Sequence, residues 1–67
     1  MLTFEPFRHW CFVNKKERKD VAAETGFSMP TIGNIYNDKF PFKTDTLETL
    51  CRVYGLRVEQ VIEYKQD

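Results

Sequence analysis

The chain contains two thiols, Cys11 and Cys51, and one imidazole, His9. These are the residues from which a zinc site or an activated nucleophile would be built. Their spacing argues against both. The two cysteines lie 40 positions apart with a single histidine in the chain, which excludes the usual zinc-ligand spacings. Both cysteines fall on apolar faces of expected helices, which reads as free buried thiols in a reducing cytosol. His9 has no serine, cysteine or carboxylate constellation beside it and reads as an exposed surface residue. There is no glycine-rich phosphate loop and no nucleophile–base pair. A chain of this length has one thin core, too small to wall off a reaction pocket. The expectation is a protein without catalytic residues, metal or cofactor.

The remaining chemistry is that of cations and amides. Ten basic and ten acidic residues cancel, and the isoelectric point lies near 6.6. The distribution is less even. Residues 1–43 carry seven basic and five acidic side chains, and residues 44–67 carry three and five. Within the first segment Lys15, Lys16, Arg18 and Lys19 are interleaved with Glu17 and Asp20, and Lys39 and Lys43 follow an Asn-Asp pair. This modest surplus suits a polyanion without demanding one. No apolar run approaches the roughly 18 residues of a membrane span. The start, Met1 to Pro6, lacks the basic and apolar regions of a secretory signal. Cytoplasmic residence without a membrane partner is expected.

Five short helices would position these side chains. Pro6 suits a helix first turn, and Phe7, Trp10, Cys11 and Val13 recur at helical spacing through Asn14 with Arg8 and His9 on the other side. Glu17 to Thr25 reads as the second helix, with Val21 and Ala22 inward and Gly26 as its left-handed stop. Ser28 is an N-cap residue and Pro30 lies just inside the third helix, which runs to about Tyr36 with Ile32 and Ile35 inward. Asn37-Asp38-Lys39 reads as a turn. Phe40 to Lys43 reads as an extended connection around Pro41, with Phe40 and Phe42 as a lid on the core. Thr44, Asp45 and Thr46 offer N-caps for a fourth helix carrying Leu47, Leu50, Cys51 and Tyr54. After Gly55, residues Val58 to Tyr64 read as a fifth helix with Val58, Val61 and Ile62 inward. No strand alternation, internal repeat or linker stands out. The expectation is an all-α single domain over 1–67.

The second and third helices meet across Thr25-Gly26-Phe27. A turn this short makes them cross steeply, with Ala22 small at the contact and Val21, Phe27, Ile32 and Ile35 clamping it. The outer face and N-terminus of the third helix then protrude, shaped to enter a major groove. The motif spans about 17–37. Val21-Ala22, Gly26-Phe27-Ser28, Thr31-Ile32 and Ile35, at these offsets, resemble the signature of the phage Cro and repressor (XRE-like, lambda-repressor-like) helix-turn-helix family. Asp45-Thr46-Leu47, Leu50-Cys51, Tyr54-Gly55-Leu56, Val58 and Val61-Ile62 are similar to the family's closing helices.

The resemblance implies a sequence-specific regulator of bacterial or phage transcription that binds double-stranded DNA, usually as a homodimer on a two-fold operator. By position, Ser28, Met29, Pro30, Thr31 and Asn34 are implied to meet bases. Arg18, Lys19, Asn37, Lys39 and Lys43 are implied to meet phosphates. Arg18 replaces the glutamine usual in the family. Pro30 has no N–H to donate, Met29 offers an apolar contact such as a thymine methyl, and Gly33 is bare. Asn34 is thus the one obvious hydrogen-bonding reader, able to pair bidentately with adenine. Sparse readout leaves two routes open: specificity through DNA shape, or a protein-binding role on the same scaffold, as an antirepressor or toxin-antitoxin partner.

Overall fold

A computed structural model describes residues 1–39 and 41–66. The element order is β1 (Leu2–Thr3), α1 (Glu5–Val13), α2 (Arg18–Thr25), α3 (Met29–Tyr36), α4 (Thr44–Tyr54), α5 (Val58–Val61) and β2 (Glu63–Tyr64). Every helix contributes to one core: Phe7 and Cys11 from α1, Val21 from α2, Ile32 and Ile35 from α3, Leu50 from α4 and Val61 from α5, joined by Phe4 and Ile62. Phe7, Trp10 and Tyr54 form an aromatic cluster at its edge, with centroid separations of 4.8–6.1 Å. Five helices are present as the sequence predicts, and no helix among the described residues is long and apolar enough to cross a membrane.

Local chemistry sets most boundaries. The Asp20 carboxylate accepts from the Glu17 backbone N–H at 2.9 Å and closes the start of α2. Gly26 ends it at φ +81° and Gly55 ends α4 at φ +64°, left-handed conformations that a side chain disfavours. Ser28 caps α3, its Oγ accepting from the Thr31 N–H.

Several expectations need correction. The fifth helix stops at Val61 instead of Tyr64; Ile62 turns extended and Glu63–Tyr64 pair antiparallel with Leu2–Thr3, in register Leu2↔Tyr64. Two-residue strands are too short to show period-two alternation, and tertiary pairing overrides the helical pattern. Val58 and Val13 are exposed, not inward. The N-cap of α4 is Lys43, with no side-chain bond, so Thr44, Asp45 and Thr46 lie inside the helix. Glu17 is likewise a cap and not a helical residue. Arg8 turns toward the protein, as described below. Phe42 packs edge-on against Phe4 at 5.1 Å, as a lid should; Phe40 lies outside the described residues. Cys11 is buried and Cys51 partly so, and both thiols are free.

Candidate nucleic-acid interface

The helix-turn-helix is built as its residues require. Val21, Ile32 and Ile35 are buried, Ala22 and Phe27 pack half-buried on them, and Gly26 turns the chain between α2 and α3. With those positions inward, the 3.6-residue period leaves Pro30, Gly33, Asn34 and Asn37 along the outward strip of α3, with Ser28 and Met29 at its start. Ser28, Met29, Pro30 and Asn34 are exposed, and Met29 retains 55% of its surface. Thr31 is half-buried, its hydroxyl 3.1 Å from that of Ser28.

The cations fall into two groups. Beside the C-terminal half of α3 lies a groove of about 270 Å³. Thr31, Asn34, Lys39 and Lys43 line it over an apolar floor that includes Ile35 and Phe42. The structure thus brings Asn34, the side chain expected to read a base, and two lysines together on one surface. The other cation, Arg18, opens α2, its guanidinium 4.6 Å from the centre of the ring of Tyr36, the last residue of α3. A stacked guanidinium keeps its edge N–H groups free to donate. Beneath that ring the Tyr36 hydroxyl is buried without a well-formed hydrogen bond, and burial pushes its pKa up to about 12. Burial also raises the neighbouring Cys11 thiol, which stays protonated.

Other expected ligands are differently placed. Asn37 uses one side-chain N–H to close α3, donating to the Gly33 carbonyl at 2.8 Å. Lys19 stands in solvent 3.5 Å from the Glu17 carboxylate. Lys16, outside the expected set, pairs with Glu24 at 2.6 Å, and the same carboxylate accepts from the Tyr54 hydroxyl at 2.7 Å.

One feature of the site has no sequence signal. Asp38, at φ +53°, ends the turn after α3 and gathers four donors. Arg8 reaches both its oxygens, at 2.7 and 3.2 Å; the Phe4 N–H donates at 2.8 Å and the Thr3 hydroxyl at 2.7 Å. Arg8 also donates to the Ile35 carbonyl at 3.2 Å. The Arg8 guanidinium, opposed by partial burial and aided by Phe4 and Thr3, holds the Asp38 carboxyl at about 2. The C-terminus of α3 is thereby bolted to β1 and α1. The bolt also neutralises a carboxylate one residue from Lys39.

Comparison with known proteins accords with this geometry. Residues 14–67, more than half of the chain, match the Cro/C1-type HTH DNA-binding domain family. The chain belongs to that family. No curated protein and no solved structure gave a significant match. Membership agrees with the resemblance carried by Val21 to Ile35 and by the closing helices. It makes the chain a DNA-binding regulator in the general sense, with DNA as partner. The match begins at Asn14, so the Arg8 half of the bolt lies outside the part of the chain that carries the family pattern. Among the described residues no group of histidine, cysteine and carboxylate side chains is arranged to hold a metal.

Proposed function

We propose that this Cro/C1-type protein is a sequence-specific transcriptional regulator. It would lay α3 in the major groove of duplex DNA and bind as a homodimer on a two-fold site, with residues 1–67 acting as one domain in the cytoplasm. The observation that carries the reading is the exposed strip of α3 continuing into the groove of Asn34, Lys39 and Lys43. In it Ser28, Met29, Pro30, Thr31 and Asn34 face bases. Arg18, Lys39 and Lys43 meet phosphates, with lesser parts for Lys19 and Asn37. The test is selection of duplexes from a random pool, then mobility shifts at low salt. Asn34→Ala is expected to flatten preference at one base position, at a cost of about 1–3 kcal/mol for the favoured base. Lys39→Ala should weaken all sequences alike. Absence of any shift at about 50 mM salt, where phosphate contacts are strongest, would sink the reading.

A second reading rests on the same strip. Met29, Pro30 and Gly33 make it poor in donors, and net charge is zero, so a protein surface is the alternative ligand. Stoichiometric co-purification of a partner that shields α3 from hydrogen exchange, together with DNA binding indifferent to charge reversal at Lys39 and Lys43, would favour it.

A further inference from the structure

The groove beside α3 offers more than the cations a phosphate would need. Lys39 and Lys43 stand exposed on its rim with Asn34, and no aspartate or glutamate lines it among the described residues. Neither lysine takes part in a described ion pair. Asp38, next to Lys39 in sequence, is held by Arg8. The floor adds Phe4 and Pro41 to Ile35 and Phe42. Hydrated phosphate oxygens gain nothing from an apolar, aromatic floor, so contact with a DNA backbone leaves it unused. At about 270 Å³ the groove falls just under the roughly 300 Å³ of the smallest ligand sites, which suits a ligand of about a dozen non-hydrogen atoms.

We propose that this groove binds a small aromatic carboxylate, and that the bound anion displaces DNA. The carboxylate lies between Lys39 and Lys43, and the ring rests on the floor against Phe42. Two ammonium groups favour the anion over a neutral molecule of the same shape. The floor favours an organic anion over inorganic phosphate, because only the former has apolar surface to bury. Each preference is weak on an open surface, and the two together set the ligand class. The carboxylate takes the lysines that would meet phosphates, and the body covers Asn34. Ligand and duplex therefore exclude one another, and each lowers the other's apparent affinity by the same factor. The competition rests on the DNA reading given above; binding of the anion does not.

The experiment is a titration of the isotope-labelled full chain with hydrocinnamate, followed by backbone amide shifts at constant ionic strength. Saturable shifts centred on Asn34, Lys39 and Lys43 are expected, with Kd of about 1 mM for so small a ligand. Nuclear Overhauser contacts from its ring should reach Phe42. Hydrocinnamamide, which lacks the charge, and inorganic phosphate, which lacks the ring, should each bind at least about fivefold more weakly. Lys39→Gln and Lys43→Gln should each raise Kd about two- to fivefold, and both side chains are exposed, so the fold is kept. Lys15→Gln removes the same charge away from the groove lining and should leave Kd unchanged. With hydrocinnamate at about ten times its Kd, the Kd for a selected duplex should rise about tenfold. Absence of a saturable shift by about 20 mM, or equal binding of hydrocinnamamide, would overturn the proposal. So would a duplex affinity indifferent to saturating hydrocinnamate, a result that leaves the DNA reading standing. Anion binding by a chain that binds no duplex would uphold the site and sink the DNA reading, and the competition with it.

Discussion

Asp38 shows how much one side chain can organise in a chain of 67 residues. Its carboxylate joins α3 to β1 and α1 through Arg8, Phe4 and Thr3, and the left-handed backbone that delivers it is one that aspartate tolerates. The folded carboxyl ionises at about 2, against about 3.8 when unpaired. Its contribution to stability is therefore complete above pH 4 and is lost as pH falls from about 4 to 2. With the side chain 18% exposed, screening limits that contribution to about 1–2 kcal/mol. Thermal unfolding of Asp38→Asn should show a lower Tm than wild type at pH 7 and a gap that narrows below pH 4. Parallel Tm curves across that range would exclude the bolt. Nothing local in the sequence announces this pair. Arg8 sits on the polar side of its helix, and its partner is 30 positions away. Attraction between distant charges leaves no periodic trace.

At the scale of elements, the motif was legible because its demands are local. Gly26, Ser28 and the Ile32–Ile35 spacing each act within one or two turns, and all three appear where expected. The β1–β2 pairing was illegible because it joins the two ends of the sequence, and the same pairing cut short the fifth helix. Two glycines make the distinction testable. A Cβ at Gly26 or at Gly33 would meet nothing within 4 Å, so packing decides neither. Gly26 has φ +81°, and Gly26→Ala should cost about 1 kcal/mol by strain, net of the stiffer unfolded chain. Gly33 is helical, and Gly33→Ala should gain up to about 1 kcal/mol. Denaturant unfolding of the two variants should thus move in opposite directions. Gly33 lies on the outward strip of α3, so weaker DNA binding by the more stable Gly33→Ala protein would show that a ligand, not the fold, needs the bare backbone there.

For the whole molecule, net charge is a poor guide to what it binds. The acidic surplus lies after residue 43, and several acidic side chains of the N-terminal segment are already engaged: Glu24 with Lys16, Asp38 with Arg8, Glu5 with Lys65. Arg18, Lys39 and Lys43 have no such partner among the described ion pairs. On the proposed reading they and Lys19 would meet about four phosphates per copy, so the logarithm of affinity should fall with that of salt at a slope of roughly −3 to −4 for each bound copy. A slope near zero in a titration from about 50 to 300 mM salt would mean that these cations do not face phosphate. The small sheet has a consequence of another kind. The Met1 amine donates to the Lys65 carbonyl at 2.6 Å, and the Lys65 N–H donates to the Met1 carbonyl at 2.8 Å. Fluorophores attached at the two ends would therefore start within energy-transfer range, and their separation would report the opening of the fold as it begins.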